Sequence, residues 1–398
     1  MLGNYSNNNS NLSRRELLAK LTMAGLSFSM MPILGLGKEP APRKPLKKAR
    51  PRLNFWGTGT LDIGKGWAVA EELLDVKIEF EDNGNDPGPV ITRLIDHRES
   101  QVRHLSGLQG GAERELAKAG VALPWDLKKI PSFSRIWPWA QSISYTVVDG
   151  EHIGIPSVVN ADSMIYLPEL TGTIDSYAAV FEDRFRGHTS MEDAWINSVI
   201  FTAIYLKESK GVRIADPGNL TERELDEVMR FLEDCARRGQ FRKLWRGWKD
   251  GVDLITSKQV WVMTGWEPIV YEAIRQGINA AYAIPREGYE GWSNDVILHP
   301  GVLHDGLVDI AHRFIEWELS GFYGARLVSD RGYVVPTDAT ASYAELHPED
   351  FPAKKVVSVV EGVKRKFFAM KGQVYWQNVR PQNYRLYEER WSRFRSLV

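Results

Sequence analysis

One cysteine, Cys235, in a chain of 398 residues excludes an intramolecular disulfide, a Cys-rich zinc site and a thiolate-held iron–sulfur cluster. An excess of one charge is lacking as well. Fifty Lys and Arg stand against 51 Asp and Glu, a formal net charge of −1, so no global field gathers nucleic acid or anionic lipid and any partner is recognised locally. Catalytic signatures are missing too: there is no HExxH, no G-x-S-x-G elbow, no G-x-x-x-x-G-K-[ST] loop and no complete G-x-G-x-x-G. Gly57 and Gly59 in WGTGT make only a fragment of the last. The eight histidines (97, 104, 152, 188, 299, 304, 312 and 347) are scattered, with no close set of three zinc ligands. His312 and Glu316 lie one helical turn apart, which reads as an exposed hydrogen-bonded pair.

What is present is a globular composition, 43% hydrophobic and 25% charged. It excludes disorder and collagen, it is too polar for a polytopic membrane protein, and its length suits two or three domains. Cys235 follows Leu225, Val228, Met229 and Leu232 at helical spacing, which predicts a core thiol.

The start of the chain reads as an address. In SRRELLAK, Ser13, Arg14, Arg15 and Leu18 match the twin-arginine export pattern, and a short apolar stretch runs from Leu21 to about Leu36. Residues 1–37 are therefore expected to be a twin-arginine signal peptide, with an uncleaved anchor as the other reading. Residues 38–52 are Pro-rich and basic and read as a linker. Lipid attachment is excluded because no cysteine follows the apolar stretch. The mature chain is expected in the periplasm.

From Leu53, short apolar runs alternate with helical stretches. The order is LNFW, a helix over 66–74, VKIEF and a helix over 89–97, which predicts βαβ units. A second series follows Gly154-Ile155-Pro156. It comprises a helix over 191–206, the Cys235 helix, a strand over 259–263, a helix over 268–276 and the strand INAAYAI. From Ala283 to Pro300 a further series returns to the first lobe. The expected division is 53–155 and 284–340 in lobe 1, 156–283 in lobe 2, and 341–398 as a C-terminal helical segment in which 375–395 docks on a lobe. Two crossings, near Ile155 and Ile284, make a hinge.

Fourteen tryptophans are the other abundance. Trp56, Trp266 with its neighbour Glu267, and Trp292 sit beside glycines or carboxylates in predicted loops. Rings with a carboxylate suit an organic cation, because cation–π contacts contribute about 0.5–2 kcal/mol and a paired charge compensates a buried ammonium. Trp137, Trp139, Trp195, Trp245, Trp261 and Trp317 have spacings that core packing already explains.

The stretch WEPIVYEAIRQGINAAYAIPREGYEGWSNDVILHP resembles extracellular solute-binding proteins of ABC importers, in the spermidine/putrescine-binding branch. HIGIPSVVNADSMIYLPEL, DPGNLTERELDEVMRFLEDC and RGYVVPT follow in the family's order, and the resemblance spans roughly residues 53–340. It implies an α/β, two-lobe periplasmic binding protein-like type II fold with two crossover segments. It also implies a ligand-binding set of Trp56, Asp193, Trp266, Asp295 and Tyr333. The departures are specific. The family's second carboxylate falls on Ile196, Trp292 stands three residues before Asp295 where the family spacing is two, and two further aromatics are replaced by Gly59 and by Gln109-Gly110-Gly111.

Losing a carboxylate argues against a diamine or triamine, since each buried ammonium needs one. Gly110 and Gly111 open the stretch AERELAKAG, where free backbone N–H groups would bind an acid. That admits a zwitterion, such as an amino acid or aminophosphonate, with its amine at Asp295 and Trp266. The expected role is the periplasmic binding component of an ABC importer, a monomer that closes on a small amine-containing, polyamine-like solute and passes it to permease subunits. It would use the Tat translocase in export and no cofactor, metal or nucleic acid. A binding protein serving a sensor and an exported cofactor enzyme are the other classes.

Overall fold

The computed structural model describes residues 49–398 except 85, 97, 142 and 369–373. The signal-peptide reading and most of the linker lie outside the described residues. Residues 50–398 fold together. Among the described residues no helix is long and apolar enough to cross a membrane.

Strands β1 (Arg52–Gly57), β2 (Lys77–Asp82) and β3 (Leu105–Gln109) are parallel, with β1 in the middle. Parallel pairing requires crossovers, and the helices Trp67–Leu74 and Pro87–Asp96 supply them. Alternation along LNFW sends Leu53 and Phe55 into a cluster with Trp67, Phe314 and Tyr323, while Trp56 joins Val90, Ile91 and Leu94 on the opposite face. After the hairpin β4 (Val147–Val148) and β5 (Glu151–His152) comes β6 (Gly154–Tyr166), thirteen residues buried without exception.

β6 belongs to both lobes. Its first part pairs antiparallel with β11 (Glu290–Leu298), which pairs in turn with β3. Its last part pairs with β9 (Val262–Gly265), and β7 (Thr189–Glu192) and β8 (Phe241–Trp245) complete the second sheet in parallel. Short β10 (Ala281–Tyr282) lies on the other side of β6. The strand order is therefore β2-β1-β3-β11-β6-β9-β7-β8. β6 crosses between the lobes once, and the segment from Tyr282 to Glu290 crosses back.

Local signals explain the second lobe. The helix Glu222–Arg237 begins with a capping box between Thr221 and Glu224. It buries Leu225, Val228, Met229, Leu232 and Cys235, and burial raises the Cys235 thiol to about 11. The helix expected from Met191 begins at Trp195, because Met191 sits in β7 and Asp193-Ala194 make the turn. The strand expected over 259–263 is shifted to 262–265, and INAAYAI supplies only Ala281–Tyr282.

The C-terminal segment makes a third crossing. Helices Ala339–Leu346 and Ala353–Phe368 pack on lobe 1 beside Phe322–Arg331 through Val356, Val360 and Val363. β12 (Tyr375–Trp376) then adds in parallel to β11 at Glu290 and Gly291, just beyond the residues that β3 occupies. The last helix, Tyr384–Arg395, packs on lobe 2, where Tyr387, Trp391 and Phe394 join the core of Met164, Phe201 and Leu232. The docking segment is thus part strand and part helix.

Candidate functional site

The β6–β11 register sets Asp162 opposite Glu290 and Asn160 opposite Trp292. Side chains alternate along a strand, so these four share one face at the place where β6 passes from one lobe to the other. Trp292 Nε1 donates to Asp162 Oδ2 at 2.9 Å, and the Tyr282 hydroxyl lies 3.3 Å from Oδ1. Tyr333 meets the Trp292 ring edge-on, with centroids 6.0 Å apart. Lobe 2 contributes Glu192, at the end of β7, which accepts from Asn197 and from the Trp266 indole. Trp266 itself is held edge-on against Trp245 at 5.0 Å.

Glu267 follows Trp266 and pairs with Lys366 Nζ at 2.6 Å. Lys366 also donates to Asn160 Oδ1 at 3.1 Å and to the Ala161 carbonyl at 3.0 Å, and its ammonium sits 5.0 Å from the Tyr282 ring centroid.

The junction thus gathers Asp162, Glu192, Glu267 and Glu290, with Lys366 paired to Glu267 and drawing on Asp162. Burial pushes Asp162 up to about 7, against the pull of Lys366 and the hydrogen bonds from Trp292 and Tyr282. Burial likewise raises Glu192 to about 8, with Asp162 adding repulsion. Glu290 is fully buried, and its carboxyl is held well above the usual range by burial and then by Asp162 and Glu192. Neither Glu290 oxygen has a hydrogen-bond partner. Among the described residues only His347, Glu349 and Asp350 bring three ligand atoms within 4.8 Å of one another. The junction carboxylates do not bring three ligand atoms that close together.

The junction is packed. Gln377 N donates to Gly291 O at 2.7 Å and its side chain to Asn197 of lobe 2, while Tyr375 OH donates to Glu208 at 2.5 Å. Phe367 stacks on Trp139 at 3.8 Å and lies 5.7 Å from Trp376, and the two indoles are themselves 5.9 Å apart. Two surface hollows of about 390 and 300 Å³ lie elsewhere, one beside Asp253 and Gln276, the other beside Asp62 and Arg326.

Four residues singled out from the sequence, Trp266, Glu267, Trp292 and Tyr333, meet at this junction. Five do not. Trp56 is 2% exposed, and the guanidinium groups of Arg93 and Arg103 lie 4.4 and 5.0 Å from its ring, so the ring already serves the protein's own cations. Asp193 accepts from Arg246 at 2.5 Å and from Trp391 Nε1 at 3.0 Å, which makes it an anchor for the last helix. Asp295 lies on the other face of β11, because a spacing of three from Trp292 reverses the side chain. There it accepts from Ser293 at 2.9 Å and faces Glu113.

Gly110 and Gly111 offer no free anion cradle. The Gly110 N–H donates to Ser293 O and the Gly111 N–H to Glu113 Oε2, at 3.0 and 2.8 Å. Asn378 and Val379 press against Gly111, where a Cβ would come within 2.3 Å of Asn378. His312 and Glu316 are not an exposed pair either: buried His312 accepts from the Asp126 N–H, and Glu316 accepts from Ser132.

The sequence reading missed Asn160, Asp162, Glu192, Glu290, Tyr282 and Lys366. A usable signal was Asn160-Ala161-Asp162 inside the mostly apolar, charge-free run GIPSVV…SMIY, because an acid buried there needs a function or a partner.

No protein-family model and no curated protein matches this chain. Solved structures do. The chain has the fold of two-lobed extracellular solute-binding proteins, type II. One such structure is the spermidine/putrescine ABC transporter substrate-binding protein PotD from Streptococcus pneumoniae, with a TM-score of 0.66 and 11% identity, covering 87% of this chain and 99% of that one. A second is MotA from A. tumefaciens B6 in complex with glucopine, with a TM-score of 0.59, 16% identity, and the same two coverages. A third is the Atu4243-GABA receptor, with a TM-score of 0.63 and 15% identity, covering 87% and 97%.

Proposed function

We propose that this protein is the substrate-binding component of an ABC importer and holds the ammonium group of a small solute at the junction of its lobes. Glu290 carries the reading. It is buried, both of its oxygens lack a partner, and two more raised carboxyls surround it. A carboxyl in that position is costly unless a cation compensates it. An ammonium offers three donors and one positive charge, and the rings of Trp292, Tyr333 and Trp266 supply apolar walls and cation–π faces. The named solutes of the three fold relatives, spermidine/putrescine, glucopine and GABA, show how widely this fold varies its ligand.

The mechanism is capture by closure. The lobes part about β6 and the 282–290 segment, solute settles on the carboxylates, and the closed form gains because it binds the solute more tightly. The solute leaves unchanged, to permease subunits in the membrane. The chain reaches the periplasm by the twin-arginine route marked by Ser13, Arg14, Arg15 and Leu18 and works there as a monomer.

Calorimetry of the wild-type chain and Glu290→Gln against small primary amines tests the reading. Loss of affinity by more than about tenfold is expected, since charged hydrogen bonds contribute about 1.5–3 kcal/mol. Equal affinities would sink it.

A further inference from the structure

The cation already at the junction comes from an unexpected place. Val356, Val360 and Val363 form the stripe by which the helix Ala353–Phe368 packs on lobe 1, and Lys366 continues that stripe at the next helical step. Lys366 is 7% exposed. A lysine there loses its hydration and must recover every hydrogen bond it gives up. It does so completely: Glu267, Asn160 and the Ala161 carbonyl take the three N–H donors, and Tyr282 offers a ring face. These partners come from the crossing strand and from lobe 2, not from the helix that carries the lysine. Together they are what a free primary ammonium would require.

Beside these acceptors stands a second set, to which, among the described residues, no protein cation is hydrogen-bonded. Asp162, next to Ala161 in β6, stands opposite Glu290 in register, and Glu192 completes the group. One side of the junction has an ammonium with all its acceptors, and the other has acceptors with no protein ammonium. We infer that Lys366 is a specificity-determining residue: it occupies one of two ammonium subsites from within, so the solute supplies a single ammonium to the other. The inference rests on the junction being the amine site. It adds that linear diamines are disfavoured, because their second ammonium finds its place taken and meets a like charge. Replacing Lys366 with an apolar residue then converts a monoamine site into a diamine site.

The test compares the full chain with Lys366→Met and with the double variant Lys366→Met/Glu267→Gln, using 1-aminobutane and 1,4-diaminobutane as probes in calorimetry. In Lys366→Met the preference for the diamine over the monoamine is expected to rise by about tenfold or more. The double variant is expected to lose that gain. An unchanged preference in Lys366→Met, or equal weakening of both probes, overturns the inference. If the wild-type chain binds neither probe while Lys366→Met binds one, the subsite stands and the importer reading falls. If the wild-type chain prefers the diamine and the variant does not alter that preference, the importer reading stands and the role of Lys366 falls. Binding to no form overturns both. Should Lys366→Met be recovered unfolded, it is refolded with either amine or with tetramethylammonium. Recovery with the primary amines alone is expected, and recovery with none overturns the proposal.

Discussion

At the scale of single residues the junction stores an electrostatic conflict. Asp162 and Glu192 keep their protons to about pH 7 and 8 because burial disfavours their charged forms, whereas in the unfolded chain such groups ionise near pH 4. Between roughly pH 4 and 8 the folded form holds protons that the unfolded form has released, so stability falls as pH rises through that window. Melting temperatures of the solute-free chain are expected to decline from pH 5 to pH 8, and Glu290→Gln to sit above wild type at pH 8. A bound amine, which favours the ionised carboxylates, should flatten the decline. A melting temperature that climbs over this range would contradict the assignment. Residue types were legible in the sequence, as Trp266, Glu267, Trp292 and Tyr333 illustrate. Which face each side chain takes was not. The glycines of WGTGT suggest a loop at Trp56, yet β1 runs to Gly57 and turns Trp56 under Arg93.

At the scale of elements, periodicity was a good guide wherever one face is buried and the other wet. The stripe from Leu225 to Cys235 is such a case. It failed where both faces are buried, because no alternation remains to fix the ends. The helix Trp195–Lys210 buries nine consecutive residues from Ser198 to Leu206, and its start could not be separated from β7. The last helix illustrates a different dependence, since its contacts join residues far apart in the chain. Trp391 is 3% exposed and donates to Asp193, while Arg390 and Arg393 pair with Asp226 and Glu233 on the helix Glu222–Arg237. Trp391→Ala is expected to cost about 3–5 kcal/mol, the range for a large core truncation. Limited proteolysis should then cleave near residue 384 well below the global melting temperature.

At the scale of the whole molecule, two α/β series could be read from the alternating runs, although the passage expected near Ile155 falls where β6 still pairs with β11, and β6 reaches β9 only from Ser163. The third crossing could not be read. Tyr375–Trp376 is a two-residue strand whose partner lies some 85 positions earlier in β11, and no local pattern announces so remote a pairing. Its tightness depends on Gly111, which adopts φ +121° and lies against Asn378 and the Val379 N–H. Gly111→Ala is both strained and obstructed there, so it should push 375–379 off lobe 1. Faster hydrogen exchange at Gln377 and Val379, with the Thr221-capped helix unaffected, is the expected readout.

The core of the middle segment is completed only by Tyr387, Trp391 and Phe394. A chain cut before Tyr384 would leave that core open, so this half of the molecule is complete only once residues 384–395 have joined it.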